Sequence, residues 1–311
     1  MDTIMERALS GEPRALARLM SRVERMDEES AAIMKELYPK TGRAHTIGVT
    51  GSPGAGKSSL TSCLITSFRK MEKKVGIIAV DPSSPYSGGA ILGDRLRMQD
   101  HALDSGVFIR SMGSRGNLGG LSGSTRDVSL VMDACGYDII LIETVGVGQS
   151  EVDVVKASDT VCLVLVPGMG DDVQIMKAGI MEIADLFVVN KCDRDGASKV
   201  AADVKVMLDL MPPRAWRPPV SLASAVRSEG IEDILTNIAA HGKYLADTDE
   251  GMARARSKIE NVVEEILRRE IAERVDSAWR ELRGGAIEDL AGRRTDPYTL
   301  AADILDKIIL K

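Results

Sequence analysis

A glycine-rich run at residues 51–58, GSPGAGKS, constrains the fold of this chain more than any other feature. It fits the pattern G-x-x-x-x-G-K-[S/T] in full, with a short apolar run before it and a helical pattern from Lys57 to Met71 after it. In such a strand–turn–helix context the glycines let the backbone curl so that its N–H groups face a phosphate chain. The pattern therefore predicts a nucleoside triphosphate site in an α/β domain.

Each position of this run has an expected role. Lys57 would reach the β- and γ-phosphates and act in catalysis, and the Ser58 hydroxyl would bind Mg²⁺. The predicted nucleotide-binding residues of this region are Gly51, Ser52, Pro53, Gly54, Ala55, Gly56, Lys57, Ser58 and Ser59. A chance glycine-rich turn is the competing interpretation, although only about one chain in a hundred of this length would match by chance.

Short runs of β-branched and other apolar residues recur along the middle of the chain. They lie at 46–50, 75–80, 107–109, 137–142, 160–166, 186–189 and 220–222, and helical stretches separate most of them. This alternation predicts an α/β fold, with a mostly parallel sheet and helices on both faces. Helical patterns flank it, so we expect an N-terminal helical segment at 1–42, a P-loop domain at 43–246 and a C-terminal helical arm at 247–311.

The two helical ends carry more specific expectations. Residues 2 to about 38 are predicted to be helical from their three- and four-residue apolar spacing. Residues 249–283 are predicted to form one long helix that Gly284 and Gly285 break, and Asp296-Pro297 then starts a final helix through Leu310. The apolar stripe of the long helix would cover its own domain or pair with another copy of the chain. Periodicity alone leaves both alternatives open.

The tetrapeptide NKCD at 190–193 follows the apolar run at 186–189, at the end of a predicted strand. The Asp193 carboxylate can accept from both N1–H and the 2-amino group of guanine, which adenine lacks, so it would select guanine. Asn190 would brace the loop and Lys191 would lie along the base, although the tetrapeptide alone could also cap the next helix. After the last predicted strand, Ser224, Ala225 and Val226 are predicted to form a second base-contacting loop.

Acidic residues at the ends of two predicted strands are expected to complete a Mg²⁺ site with Ser58. Asp81 follows the run at 75–80 and Glu143 follows the run that ends at Ile142. Carboxylate oxygens suit this ion, and open α/β sheets bind ligands at the carboxyl ends of their strands. Asp94, in the polar loop at 81–95, is a further predicted ligand, with a helix N-cap as the competing interpretation.

Two more loops are candidates for sensing the nucleotide. In ETVG at 143–146, Gly146 would donate its N–H to the γ-phosphate, and Gln149 would orient the attacking water as a catalytic residue. The loop GMGDDVQIMK at 168–177 follows a predicted strand. Judged on its residues alone, it is a helix start at which Asp171 and Asp172 are favourable.

Charge and cysteine usage exclude several classes of partner. The net charge is −6 and the pI is near 5.3, which argues against nucleic acid as a main partner because phosphates need a basic surface. The N-terminal residues include acids and no long apolar region, which argues against a signal peptide. No apolar stretch approaches the roughly 18 residues of a membrane span, and the four cysteines form no CxxC pair. We therefore expect a cytoplasmic protein with reduced thiols.

Together these residues resemble the MeaB/ArgK family of P-loop GTPases over nearly the whole chain. The most specific parts are VDPSSPYSGGAILGDRLRM at 80–98, RSMGSRGNLGGLS at 110–122, ETVGVGQSE at 143–151, GMGDDVQ and KAGIMEIAD within 168–185, and DPYTLAADIL at 296–305. The resemblance implies a GTPase that uses GTP/GDP and Mg²⁺, with Asp81, Asp94 and Glu143 around the ion. It also implies that 168–177 is an additional switch loop, in which Asp171, Asp172 and Lys177 sense the nucleotide and contact a partner.

The resemblance further implies a chaperone of an adenosylcobalamin-dependent acyl-CoA mutase, chiefly methylmalonyl-CoA mutase. Such proteins gate cofactor delivery, protect the mutase and form homodimers through the C-terminal arm. The alternative is a metallochaperone GTPase for metal-centre assembly, which usually needs a soft site of Cys or His. Here His45, His101 and His241 are widely spaced in the sequence and stand near no cysteine pair. An ATP-driven kinase conflicts with Asp193.

Overall fold

The computed structural model describes residues 3–81, 101, 103–113, 120–144, 156–168 and 180–309, and all their side chains except those of 81, 120–122, 180 and 307–309. The chain forms two compact units, residues 1–252 and 253–311. The first contains the N-terminal helices and the sheet. The predicted division at residues 42 and 246 stays a prediction.

A seven-stranded sheet forms the centre of the described part of the first unit. Its strands, in chain order, are β1 (His45–Gly51), β2 (Val75–Asp81), β3 (Val107–Gly113), β4 (Ile139–Thr144), β5 (Thr160–Leu165), β6 (Leu186–Val189) and β7 (Val220–Leu222). Their spatial order is β3-β2-β4-β1-β5-β6-β7, and every neighbouring pair is parallel. The predicted α/β fold with a parallel sheet is confirmed, and each predicted strand is present.

The register brings particular strand ends side by side. β1 lies between β4 and β5, with Val49 opposite Glu143 and Gly51 opposite Val164. β6 and β7 continue the same parallel arrangement. Because parallel strands end at the same edge, the residues that follow β1, β4, β6 and β7 meet at one edge of the sheet.

Helices cover both faces of this sheet, as the sequence predicts. The α-helices in the described ranges are α1 (Thr3–Leu9), α2 (Pro13–Val23), α3 (Glu28–Leu37), α4 (Lys57–Lys70), α5 (Gly120–Ala134), α6 (Ala197–Leu210), α7 (Ile231–Asp247), α8 (Asp249–Ala291) and α9 (Pro297–Ile309). Alternate strand residues point to opposite faces, so Ile77 of β2 belongs to a core shared with α4 and α7, whereas Ile78 belongs to a core shared with α1, α2, α3 and α5. On that second face, α6 covers β5 and β6.

The N-terminal region is helical as predicted, but it is interrupted twice. Gly11 adopts a left-handed φ of +90° before Pro13, which starts α2. Asp27 then caps α3, since its carboxylate accepts from the Ser30 N–H at 2.9 Å. A left-handed residue and a helix cap therefore separate three short helices.

The predicted break at Gly284 and Gly285 is wrong, because α8 continues through both glycines to Ala291. A glycine in a helix interior costs only about 1 kcal/mol relative to alanine, whereas ending the helix leaves backbone carbonyls without partners. The final helix does start at Pro297. Asp296 caps it by accepting from the N–H groups of Tyr298 and Thr299. In the part of the chain that the structure describes, no helix has the length and apolar character needed to cross a bilayer.

The segment that leads into β1 is held by one carboxylate of α5. Asp133 is 6% exposed and accepts from the backbone N–H groups of Gly42, Arg43 and Ala44 at 2.5, 3.2 and 3.0 Å. The N-terminal helices are also tied to β3, where Arg110 donates to Glu24 at 2.7 Å and to Ser21 at 3.0 Å. These contacts join the N-terminal helices to the sheet within the first unit.

Candidate nucleotide-binding site

The glycine-rich loop curls between β1 and α4, as its sequence predicts. Gly51 has a φ of +143°, and a Cβ there would lie 2.2 Å from the carbonyl oxygen of Val164 on β5. Gly56 has a φ of +86°, and a Cβ there would lie 2.4 Å from Nδ2 of Asn190. Both positions combine left-handed backbone with close contact, so only glycine fits them without strain.

Two polar side chains of this loop are buried at its base. Lys57 is 6% exposed, and its Nζ donates to the carbonyl oxygens of Gly51 at 2.7 Å and Ser52 at 3.0 Å. The Ser52 hydroxyl is buried and has no hydrogen-bond partner among the described residues. A buried ammonium group, an orphaned hydroxyl and a curled backbone at a helix N-terminus form a donor-rich site that fits a polyphosphate.

Ser58 and Glu143, two of the four predicted Mg²⁺ ligands, are in direct contact. The Ser58 hydroxyl donates to Oε1 of Glu143 at 2.5 Å, and Glu143 is 4% exposed at the end of β4. This pair of hard oxygen donors beside the phosphate-binding loop fits Mg²⁺. Asp81 ends β2 at the same edge, but its side chain is outside the described set, and Asp94 lies outside the described residues.

Asn190 joins the glycine-rich loop to the loop after β7. It is 2% exposed, its Nδ2 donates to the Ala55 carbonyl at 2.8 Å, and its Oδ1 accepts from the Ala225 N–H at 3.1 Å. Lys191 has a left-handed φ of +58° and donates from Nζ to the Gly54 carbonyl at 2.7 Å. The structure thus brings three predicted segments, far apart in sequence, into one connected site.

The carboxylate of Asp193 is oriented by the loop after β7, which is the predicted second base-contacting loop. The Ser224 hydroxyl donates to its Oδ1 at 2.6 Å, and this bond holds the pKa of Asp193 below its ordinary value. Asp193 itself is exposed at the end of the loop. An ionised acceptor with a fixed direction is what recognition of two guanine donors requires.

Backbone hydrogen bonds and a glycine close the loop that follows β7. Ser224 and Glu229 pair by backbone hydrogen bonds in both directions at 3.1 Å. A Cβ on Gly230 would lie 2.0 Å from the Leu222 carbonyl oxygen, so the turn needs glycine there. Val226 lies at the tip with 89% of its surface exposed, while Ala225 is buried.

One contact residue of the site escapes prediction from the sequence. Cys63 on α4 donates from its thiol to the Ala225 carbonyl at 3.2 Å, so the helix that begins at the phosphate loop also contacts the base loop. Helical spacing places Cys63 on α4, but no local pattern connects it to a residue so distant in sequence. Six predicted residues lie outside the described ones, namely Asp94, Gly146, Gln149, Asp171, Asp172 and Lys177.

Comparison with known proteins agrees with this architecture. The family model described as methylmalonyl Co-A mutase-associated GTPase MeaB matches residues 13–280. A Pyrococcus horikoshii protein whose name places it among the GTPases is 45% identical, over 99% of this chain and 98% of its own length. GTPase ArgK of Escherichia coli is 40% identical, over 74% of this chain and 72% of its own.

Two further comparisons extend the match. The mitochondrial methylmalonic aciduria type A homolog of Caenorhabditis elegans is 39% identical, over 68% of this chain and 54% of its own length. A crystal structure described as an LAO/AO transport system kinase superposes with a TM-score of 0.70 at 26% identity, covering 98% of this chain and 96% of the other. Because the family model matches residues 13–280, which are most of this chain, the chain belongs to the methylmalonyl-CoA mutase-associated GTPase family MeaB and is a GTPase.

Proposed function

We propose that this GTPase is a chaperone of an adenosylcobalamin-dependent acyl-CoA mutase, with methylmalonyl-CoA mutase as the first candidate. It would gate cofactor delivery to the mutase and protect it, coupled to GTP binding and hydrolysis. The observation that carries the proposal is the family match over residues 13–280, because that family is described by its association with this mutase. The partial match to the methylmalonic aciduria type A homolog supports it.

The described residues supply the nucleotide end of such a cycle. The backbone of 51–58 and the Lys57 ammonium would hold the phosphates, while Asn190, Lys191 and Asp193 would hold guanine. Ser58 and Glu143 would hold Mg²⁺ with Asp81 and Asp94; the ion, when bound, supplies positive charge that stabilises the leaving phosphates. Gly146 would sense the γ-phosphate, and Gln149 would orient the water.

The link to the partner is proposed for a separate loop. Asp171, Asp172 and Lys177 would form an additional switch that differs between GTP and GDP states and contacts the mutase. Slow intrinsic hydrolysis would suit this arrangement, since a partner that completes the site would set when the cycle advances.

We also propose a cytoplasmic homodimer that pairs through α8. Exposed apolar side chains recur along this helix at three- and four-residue spacing, and each exposes between 36% and 54% of its surface: Ile259, Val263, Ile266, Leu267 and Ile271. An apolar stripe of this kind is typical of a helix that packs against another helix. The free cysteines, two of them buried, suit a reducing compartment.

The test combines capture with purified components. The tagged protein is loaded with a non-hydrolysable GTP analogue or with GDP, and captured partners are identified. A Lys57→Ala variant, impaired at the phosphates, is the matched control. We expect a cobalamin-dependent mutase to be captured in a nucleotide-dependent way, and the purified mutase to raise GTP turnover. Capture of a metal-centre enzyme instead, with no effect of the mutase on turnover, would favour the metallochaperone alternative and overturn the proposal.

A further inference from the structure

A chain of short polar contacts crosses the amino ends of the strands, at the edge of the sheet opposite the nucleotide site. Nε2 of His45, the first residue of β1, lies 2.6 Å from Oγ1 of Thr160, the first residue of β5. The same oxygen lies 2.7 Å from Nδ1 of His241 on α7. Nε2 of His241 lies 3.4 Å from Oδ1 of Asp185, which precedes β6. Two histidines that are distant in sequence therefore share one hydroxyl group.

Packed side chains enclose the inner part of this series of polar contacts. His241 and Thr160 are fully buried, and the His241 ring packs with those of Trp216 and Tyr244, at centroid distances of 4.8 and 5.9 Å, in a cluster of three mutually contacting rings. Trp216 also donates from Nε1 to the Asp185 carbonyl at 2.9 Å. Packing and the exclusion of solvent leave His241 and Thr160 little freedom to reorient, while His45 is half-buried, so the number of protons on the three polar groups matters.

The Thr160 hydroxyl has one proton to place between two imidazole nitrogens. With one ring donating to Oγ1, the hydroxyl proton can point to the nitrogen of the other ring, and every contact is satisfied. This holds whichever imidazole carries a first extra proton, and Asp185 offsets the charge when His241 carries it. If both rings are imidazolium, Nε2 of His45 and Nδ1 of His241 both donate to Oγ1 of Thr160. Neither nitrogen can then accept the proton of the Thr160 hydroxyl. Two like charges then also lie close together, one on the fully buried His241 and one on the half-buried His45.

We propose that His45, Thr160 and His241 form an acid-sensitive clasp between β1, β5 and α7, which accommodates one imidazolium and is weakened by a second. It is independent of the proposed mutase chaperone function. The native clasp then binds one proton fewer than the unfolded chain in acid. The contribution of the clasp to the free energy of unfolding is therefore complete at pH values above the ordinary pKa of histidine, and it is lost as the pH falls through that value.

Other ionisable groups near the clasp have contacts of their own. Burial raises the pKa of the Cys162 thiol to about 12, so this neighbour of Asp185 stays neutral. The Asp159 carboxylate, beside Thr160, accepts from the Thr46 N–H at 2.9 Å, and Asp185 accepts from the Val161 N–H at 2.9 Å. Tyr244 stacks on His241. Asp138, whose carbonyl accepts from the His45 N–H, has its carboxylate bonded to Lys73 and the Lys74 N–H.

The test measures thermal unfolding of the full chain from about pH 7.5 to 5.5, across the ordinary histidine range. His45→Gln keeps an amide donor near Thr160 but cannot gain a proton. His101→Gln is the matched control. That histidine bonds at 2.9 Å to Oγ of Ser62 on α4, and neither residue belongs to the clasp. We expect the unfolding temperature of the wild type and of His101→Gln to fall by a few degrees per pH unit, and that of His45→Gln to fall less, by the equivalent of about one proton.

Equal pH slopes for His45→Gln and the wild type would overturn the proposal, as would an equal loss of slope in His101→Gln. If His45→Gln does not fold, nitrogen NMR of the wild-type imidazoles decides the matter. The clasp requires that the two rings titrate as a coupled pair in two separated steps. Two independent titrations at the ordinary histidine value would refute it. GTP affinity at pH 7.5 serves as a folding control for His45→Gln and should equal that of the wild type.

Discussion

Replacing Asn190 by alanine tests whether one buried amide holds the phosphate loop and the base loop in register. The substitution removes two hydrogen bonds, to the Ala55 carbonyl at 2.8 Å and from the Ala225 N–H at 3.1 Å. Each bond is worth about 1 kcal/mol net, and each buried backbone group left without a partner costs about 1–3 kcal/mol. Because Asn190 is 2% exposed, water does not replace these partners freely.

We therefore expect Asn190→Ala to weaken guanine nucleotide binding by about 2–4 kcal/mol, or roughly 30- to 1000-fold. Asn190→Asp keeps the acceptor for Ala225 but turns an oxygen toward the Ala55 carbonyl and buries a negative charge beside the phosphate loop, so its loss should be at least as large. Titration with a fluorescent GDP analogue at fixed Mg²⁺ measures both. Asn237→Ala is the control, since it removes one hydrogen bond, to Ser221 Oγ, away from the site.

A loss smaller than about threefold in Asn190→Ala would refute the reasoning, because it would show that the two loops hold their positions without the amide. A loss of the same size in Asn237→Ala would also refute it, since that would reflect general destabilisation. Thermal unfolding of each variant without nucleotide separates these outcomes, because a change confined to the loops leaves most of the core intact.

Four further changes have defined outcomes. Lys57→Ala should abolish hydrolysis at saturating GTP, and unchanged turnover in a phosphate-release assay would contradict its role at the phosphates. Asp193→Asn should weaken GTP binding and favour xanthosine nucleotides, so equal GTP affinity in competition titrations would disprove the base assignment. Ser224→Ala removes the bond that lowers the pKa of Asp193, so the carboxylate of the variant is protonated at a higher pH. GTP affinity should therefore decline at a higher pH than in the wild type. Coincident profiles of GTP affinity between about pH 4 and 7 would count against this. Asp133→Asn leaves the N–H groups of 42–44 with a weaker acceptor and should cost about 1–3 kcal/mol in urea unfolding, whereas an unchanged midpoint would show that the carboxylate is not needed.

The elements of the fold follow from local patterns in this chain. Short β-branched runs separated by helical spacing predict each strand, because burial on both faces of a parallel sheet demands continuous apolar residues. The glycines of 51–58 predict the loop, since the Cβ contacts at Gly51 and Gly56 exclude other residues. Reliance on local patterns also explains the error at Gly284 and Gly285. The free-energy cost of a glycine in a helix is smaller than the gain from continuing the helix's backbone hydrogen bonds.

The sequence by itself predicted which residues would carry the chemistry: the P-loop glycines, Lys57, Ser58 and Asp193 stand in patterns that local backbone and ligand chemistry require. The tertiary structure decided which distant residues meet, namely the strand order, the bond from Cys63 to Ala225, and the convergence of His45 and His241 on Thr160. The physical reason is that a pattern records how a residue sits in its own helix or strand, whereas contacts between elements depend on how the whole sheet packs.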